Sequence, residues 1–237
     1  MLKVFLVLVF CFINANASGF DLHEQLNLLF FGAFGMIVIY NLGYYIITNE
    51  ITYADYFLFH GFVFAIMLFY AGMFDSASLE FTINNVPVGF FLIASAALLA
   101  FSKNFLTLES IDKRMVTGIN YLIYVNLAFF ALSAFTFVNG FLIDIAIIFV
   151  ILISSALFAL SLYLSLVKKE VYARFYLVGF SPLFITIAVS LLGHFDLLES
   201  SSQTLYYLEL SILFEASVFS FAVTHQHRES MLMLSLN

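Results

Sequence analysis

The sequence is poor in charged residues, and basic residues are the scarcest of them. Asp, Glu, Lys and Arg make up 10% of the 237 residues, against roughly 25% in an average soluble domain. With 8 Lys+Arg and a formal net charge of -7, the chain lacks the basic surface that nucleic-acid-binding proteins use to neutralise phosphates. The single cysteine excludes a disulfide-stabilised scaffold. So little polar sequence also excludes a Rossmann or barrel enzyme and a long disordered tail.

Apolar residues dominate what is present. Hydrophobic residues make up 64% of the sequence and 32 residues are Phe, and the mean hydropathy is +1.08. Seven apolar stretches are each close to the roughly 20 residues that cross a bilayer as a helix. They cover residues 26–47, 56–74, 86–101, 115–138, 141–167, 175–192 and 204–224. Because the stretches are continuously apolar rather than alternating, they predict an all-α bundle of seven transmembrane helices and not a membrane β-barrel.

Residues 1–17 have the pattern of a secretory signal peptide. Lys3 supplies the positive charge, Val4 to Ile13 form the short apolar segment, and Ala15-Asn16-Ala17 form a small-residue cleavage pattern before Ser18. The alternative is an uncleaved anchor or an extended first helix. If the peptide is cleaved, Cys11 leaves with it and residues 18–237 form the membrane domain.

The distribution of Lys and Arg predicts how the helices cross the membrane. After the signal peptide every basic residue falls in alternate connections or after the last span, and cytoplasmic loops are the ones that collect Lys and Arg. The N-terminus is therefore predicted outside and the C-terminus in the cytoplasm, which agrees with a cleaved signal peptide before seven spans. We expect the cytoplasmic face to meet a partner through Lys103, Lys113, Arg114, Lys168, Lys169, Arg174 and Arg228.

Three acidic residues, Asp144, Glu209 and Glu215, lie inside predicted spans. An acidic side chain at the centre of a transmembrane helix costs about 2.5–3.5 kcal/mol on insertion scales, so it normally faces the bundle interior or a wet cavity. Glu215 is near mid-span with Ser211 one turn away on the same face, whereas Glu209 is rotated by about 120°. We therefore do not expect the two glutamates to form a dyad.

Two interpretations of Glu215 stay open at this point. It could be a ligand contact, a proton site or a charge switch. Alternatively it could be a structural hydrogen-bonding group whose partner is Asn41, Asn120 or Asn126, all of which lie inside spans. Ser181-Pro182 in the sixth span predicts a bend, because proline cannot donate a backbone hydrogen bond. We expect the ligand region at this bend and at the outer ends of the spans. The candidate ligand and switch residues are Glu215, Glu209, Ser211, Asn41, Ser181 and Pro182.

The histidines raise the question of a metal site. His60 is predicted about one turn into the second span, and His225 and His227 follow the seventh span on the same side, so they could meet Asp55 as zinc ligands. An interfacial position gives each imidazole an ordinary role as well, and we do not expect a metal. A retinal Schiff base is excluded because no predicted span contains a lysine.

Several short motifs resemble those of one family, the bacterial seven-transmembrane receptors with diverse intracellular signalling modules. In the first two spans and the loop between them they are Gly32, Tyr40-Asn41, Tyr53, Tyr56 and Gly72. Near the sixth and seventh spans they are Ala173-Arg174-Phe175, Gly179, Glu215, Ser220 and Arg228. The resemblance extends over nearly all of the chain after the signal peptide. Ser211 stands where members of the family often have glycine.

The resemblance implies a receptor function. Members typically carry an ectodomain before the first span and a kinase, cyclase or phosphatase module after the last, and we expect neither here. The resemblance then predicts a minimal sensor of the bacterial inner membrane, with Glu215 as the buried switch. It would pass a periplasmic or membrane-borne signal to a separate cytoplasmic signalling protein.

We expect no enzymatic activity and no cofactor. The expected partners are membrane lipid and the signalling protein, and the sequence leaves open whether the chain forms a homodimer. One alternative function is a proton-coupled transporter that uses Glu209 and Glu215 as proton relays. Another is a membrane zinc hydrolase that uses His60.

Overall fold

The described part of the chain is a set of helices without strands. A computed structural model describes residues 22–70, 80–135, 140–194 and 203–235. The helices are α1 (Leu22–Thr48), α2 (Ile51–Tyr70), α3 (Glu80–Phe105), the single-turn α4 (Leu108–Ile111), α5 (Lys113–Phe135), α6 (Gly140–Tyr163), α7 (Val171–His194) and α8 (Gln203–Ser235).

Seven of these helices are long and apolar enough to cross a membrane. The predicted all-α, seven-helix fold class is therefore confirmed. The predicted signal peptide at residues 1–17 lies outside the described residues, and the direction in which the helices cross stays a prediction.

Helix α2 begins five residues before the predicted span. Asn49 ends α1 in the left-handed conformation with φ of 54°, and the chain resumes helical geometry at Ile51. The polar residues from Thr52 to Asp55 suggested a loop by hydropathy, but they form the first turns of the helix. This places His60 nine residues after the start of α2, about 14 Å along its axis.

Helix α8 is longer than the predicted span 204–224. It runs over 33 residues, or about 50 Å at 1.5 Å per residue, against a hydrocarbon layer about 30 Å thick. No glycine or proline occurs between Gln203 and Ser235, so the helix continues after the apolar stretch ends. Its last turns therefore project beyond the membrane-spanning part.

Helix α3 lies at the centre of the bundle and α5 at its edge. α3 packs against α2, α5 and α6, whereas α8 packs mainly against α7 and α1. Between these two groups lies an aromatic core of fully buried rings, which includes Tyr56, Phe101, Phe105, Tyr176 and Phe219. The aromatic side chains of this core therefore fill the space between α2 and α8.

Contacts at the helix ends gather the basic residues at one end of the bundle. The Asn104 amide donates to the Asp55 carboxylate at 2.5 Å, and the Gln226 amide donates to the Phe105 carbonyl at 3.2 Å. The Tyr172 hydroxyl donates to a carboxylate oxygen of Glu229. The start of α2, the end of α3, the start of α7 and the last turns of α8 therefore lie together. We name this the basic end; it carries Lys103, Lys113, Arg114, Lys168, Lys169, Arg174 and Arg228.

Gly179 allows α7 and α8 to approach closely. A Cβ atom at this position would lie 3.1 Å from Cε1 of Phe219 and 3.2 Å from Cγ1 of Val218. Small residues let transmembrane helices pack in this way, and packing rather than hydrophobic burial holds such helices together.

We expect Gly179→Val to lower the free energy of unfolding by about 1–3 kcal/mol, the usual cost of overpacking. Gly118→Val is the matched control, because a Cβ atom at Gly118 has no neighbour within 4 Å. Thermal unfolding of both variants in detergent, followed by circular dichroism, measures the difference. Equal melting temperatures for the two variants would contradict the close approach at Gly179.

Candidate functional site

The site is a buried pair between α2 and α8. Nε2 of His60 and Oε2 of Glu215 are 2.7 Å apart, and both side chains are only 1% exposed. Burying an isolated carboxylate costs far more than a protein can ordinarily recover, so a buried charge is paired or neutralised. His60 supplies that partner from inside the bundle.

The geometry of His60 fixes how many protons the pair holds. Nδ1 of His60 lies 3.1 Å from the carbonyl oxygen of Tyr56, and a carbonyl oxygen only accepts, so Nδ1 carries a proton. The 2.7 Å contact then contains one further proton, on either Nε2 or Oε2. The pair is therefore imidazolium with carboxylate or imidazole with carboxylic acid. Its net charge is zero in both forms.

Aromatic rings enclose the pair. The ring of His60 lies 4.2 Å from that of Tyr56, 4.6 Å from that of Phe59 and 5.7 Å from that of Phe34, measured between centroids. Inside this apolar shell, Oε1 of Glu215 is buried and has no hydrogen-bond partner among the described residues. An unsatisfied buried acceptor is uncommon in folded proteins. One carboxylate oxygen is thus available for a second arrangement of the site.

Three side chains on one face of α2 reach α8. Tyr53, Tyr56 and His60 are spaced by three and four residues, which places them on the same side of a helix. The Tyr53 hydroxyl donates to Oγ1 of Thr224 at 3.3 Å, and the Tyr56 hydroxyl donates to the Ala216 carbonyl at 2.6 Å. Together with the pair, these bonds fix α2 and α8 in an antiparallel register.

Polar groups on other helices flank this row. The Asn41 amide of α1 donates to Oγ of Ser220 on α8 at 3.3 Å. The hydroxyls of Ser102 on α3 and Tyr176 on α7 are 2.8 Å apart. Both bonds are buried. The first joins α1 to α8, and the second joins α3 to α7.

The predicted asparagine partners of Glu215 are wrong. Asn41 bonds to Ser220, Asn120 accepts from Nζ of Lys103 at 3.3 Å, and Asn126 donates to the carbonyl of Leu122 in its own helix. The physical reason is packing: α2 faces α8 with His60 beside Glu215, and the imidazole takes the contact.

The other predicted ligand residues do not contact the pair. Glu209 is buried on α8, and Ser211 bonds to Thr186 of α7 with hydroxyl oxygens 2.8 Å apart. Ser181 donates to the carbonyl of Leu177, and Pro182 lies within α7. Ser211 and Pro182 border a groove between α7 and α8. The side chain of Asp144 lies outside the described part of the structure.

The three histidines do not come together as metal ligands. His60 pairs with Glu215, Nδ1 of His227 lies 3.1 Å from Oε1 of Glu50, and Nδ1 of His225 lies 3.9 Å from Oε1 of Glu229. Among the described residues, no group of three His, Cys, Asp or Glu side chains has the arrangement of a metal site. His60 and His227 each bond to an acid of their own and not to a shared site.

Six of the seven basic residues predicted to meet a partner are exposed. These are Lys113, Arg114, Lys168, Lys169, Arg174 and Arg228. The exception is Lys103, which is half-buried and bonded to Asn120. The exposed basic side chains therefore come from the first turn of α5, the π-helical turn Leu164–Lys168 and the residue after it, the start of α7 and the last turns of α8.

A sequence profile described as 7TM diverse intracellular signalling matches residues 23–226. This range includes six of the seven candidate membrane spans, most of the seventh and both members of the buried pair. The chain belongs to this family. Comparison with curated proteins gives no match, and comparison with solved structures gives none.

Membership of the 7TM diverse intracellular signalling family confirms the predicted resemblance. It assigns the chain to a family of signalling sensors and not to a known enzyme family. It also makes this chain a multi-pass membrane protein. The pair between His60 and Glu215 is a property of the structure and does not follow from the family description.

Sequence reasoning identified Glu215 but missed its partner. The signal was present, because intramembrane acids commonly pair with other ionisable side chains inside the bundle. His60 is the one histidine within the apolar part of the described spans. Placing it near the membrane surface hid the match with Glu215.

We expect His60→Leu to lower the free energy of unfolding by about 3 kcal/mol, because it leaves the Glu215 carboxyl buried without its partner. The double variant His60→Leu/Glu215→Met should recover most of this loss, since an apolar pair of similar volume often replaces a buried ion pair at little cost. Chemical unfolding in mixed detergent measures the two variants and Glu215→Met alone. Additive losses from the two single variants would contradict the pairing.

Proposed function

We propose that this chain is the sensor module of a bacterial inner-membrane signalling system and acts on a separate cytoplasmic signalling protein. The observation that carries the proposal is the buried neutral pair of His60 and Glu215, which joins α2 to α8. Membership of a signalling family supports the same function. The pair acts as the switch between two packings of the bundle.

The switch depends on the unpartnered oxygen of Glu215. In the present packing one carboxylate oxygen contacts His60 and the other has no partner among the described groups. A second packing that offers a donor to this oxygen would compensate for a weaker contact with His60. A signal then shifts the equilibrium only by favouring one packing over the other.

Helix α8 carries the change to the basic end. It is continuous from Gln203 to Ser235, so a rotation or shift at Glu215 reaches the last turns. There His227 contacts Glu50, and Glu229 accepts from Tyr172. A shift of α8 therefore alters its contacts with the connection between α1 and α2 and with the start of α7. The basic surface presented to a partner changes as a result.

The charge distribution favours an acidic docking surface on the partner. Every Lys and Arg after residue 17 belongs to the basic end, although the chain as a whole has a net charge of -7. Complementary charge steers association and fixes the orientation of the two proteins. The partner is thus expected to approach from the basic end.

We expect Glu215→Gln to change the distance between spin labels at the basic end. Residues 18–237 contain no cysteine, so Lys113→Cys with Arg228→Cys gives a selectively labelled pair in the protein without its signal peptide. Gln keeps the size of the side chain but removes the acid, which should create a second distance population displaced by about 2 Å, the scale of a helix shift.

Glu209→Gln is the matched control for this measurement. It makes the same chemical change at another buried acid of α8 and leaves the contact with His60 in place. Pulsed electron spin resonance in lipid vesicles reports both distributions. If Glu215→Gln and Glu209→Gln both give the parent distribution, Glu215 is not the switch.

We expect charge reversal at the basic end to weaken binding of the signalling partner. Affinity capture of the tagged chain from its native membranes, after cross-linking, should recover a kinase, cyclase or chemosensory protein. Lys168→Glu/Lys169→Glu should reduce this recovery about tenfold, because both side chains are exposed and the contact is electrostatic. The control Glu109→Gln, which alters an exposed acid at the same end, should not reduce it. Equal recovery with the reversed lysines would contradict this docking surface.

A further inference from the structure

A groove of about 770 Å³ lies between α7 and α8. This volume is within the range of about 300–1,000 Å³ that small-molecule sites occupy. Its buried floor is formed by Thr186 and Ser211, and its walls include the exposed side chains of Ile185, Leu210 and Phe214. The groove is open on the side of these exposed walls. In a membrane, that side faces lipid.

We propose that this groove binds one acyl chain of a zwitterionic phospholipid from the leaflet opposite the basic end. Its role as the input site of the sensor rests on the function proposed above, whereas the binding itself does not. With the predicted topology, the lipid belongs to the outer leaflet.

The lining selects hydrocarbon. None of the described residues that line the groove is charged. The two polar groups on its floor already bond to each other, with Oγ1 of Thr186 and Oγ of Ser211 2.8 Å apart. Thr186 also donates to the Pro182 carbonyl at 2.8 Å. Both hydroxyl hydrogens are thus used within the protein, so an acceptor group of a ligand would lose its water without gaining a donor from this floor, and this is unfavourable. An aliphatic chain has no such cost.

The position of the groove indicates where the headgroup and the acyl chain of the lipid lie. Its residues on α7 and α8 belong to the halves of those helices away from Arg174 and Arg228. Tyr207 stands at the far end of the groove and is exposed. Tyrosine favours the membrane interface, because its ring is apolar and its hydroxyl is polar. The headgroup of the bound lipid therefore lies beside Tyr207 and its chain runs toward Phe214.

The charges at this end of the bundle favour a zwitterionic headgroup over an anionic one. The sequence between His194 and Gln203 contains Asp196 and Glu199, and neither Lys nor Arg. A free carboxylate or a headgroup with net negative charge would be repelled there. The ammonium group of phosphatidylethanolamine would be attracted.

Helix α8 connects the groove to the switch. Ser211 lies one turn before Glu215 on the same face of α8, and its hydroxyl contacts α7. Pro182 lacks the N–H that would otherwise bond to the carbonyl of Val178, so α7 is less constrained beside the groove. A chain that fills the groove therefore acts on the contact between α7 and α8 one turn away from the buried pair.

Photolabelling of the full chain without its signal peptide tests the proposal. The protein is placed in vesicles of phosphatidylethanolamine and phosphatidylglycerol that contain phosphatidylethanolamine with a diazirine in one acyl chain. We expect labelling of residues 182–189 and 207–214 to exceed that of the exposed face of α6 around Leu152 by about fivefold or more. Equal labelling of both surfaces would mean ordinary surrounding lipid and would overturn the proposal.

Two tryptophan variants and a second probe complete the test. Ile185 in the groove and Leu152 on α6 are both 61% exposed, so Ile185→Trp and Leu152→Trp are matched changes. Ile185→Trp should reduce labelling of the groove about tenfold, since it displaces part of the chain, and Leu152→Trp should not. A fatty acid with the same diazirine should label the groove weakly. Equal labelling by the fatty acid would overturn the assignment to a phospholipid.

The outcome for binding is separate from that for signalling. Labelling is measured in purified protein, and the spin-label distances of Glu215→Gln are measured without the probe. Selective labelling with no effect of Glu215→Gln would retain the lipid site and reject the proposed switch. Unselective labelling together with a shifted distance in Glu215→Gln would reject the lipid site and retain the switch.

Discussion

The arrangement of the bundle depends on the need to keep one buried carboxyl group neutral or paired. Lipid offers Glu215 neither water nor counterions, so a partner must come from another helix. His60 meets that need because α2 packs against α8 with the imidazole beside the acid. The backbone contact of Nδ1 then limits the pair to one shared proton. This neutral pair is therefore one of the contacts that position both helices.

Much of the fold could be predicted from hydropathy, and the missing parts have physical causes. Continuous apolar runs define the membrane-spanning segments, because the hydrocarbon layer demands their length. Hydropathy does not report where a helix starts or stops in water. It therefore missed the polar first turns of α2 and the extension of α8 through Arg228. These residues have no glycine or proline to interrupt the helix.

Only one of the two residues of the buried pair could be predicted from the sequence. Glu215 is conspicuous because an acid within an apolar span is costly, and that cost is visible in one helix alone. Its partner depends on how α2 is placed against α8, which is a property of the packed bundle. Similarly, Ser181-Pro182 pointed to an irregular region of α7, but the groove beside it requires α8 as its second wall. Sequence reasoning identifies the unusual residue more readily than the contact that makes it useful.

The lack of a hydrophobic driving force between helices leaves packing and polar contacts to set the arrangement of this kind of bundle. Lipid tails are as apolar as the helix surfaces, so hydrophobic burial does not fix the helices against one another as it does in water. The bonds from Tyr53, Tyr56 and His60 therefore determine the register of α2 and α8. An apolar ligand supplies no competing hydrogen bond and must act through shape. The groove can respond to such a ligand, because α8 forms its second wall and a shift of α8 changes the shape of the groove. An apolar input and a polar switch are thus compatible when one continuous helix contributes to both.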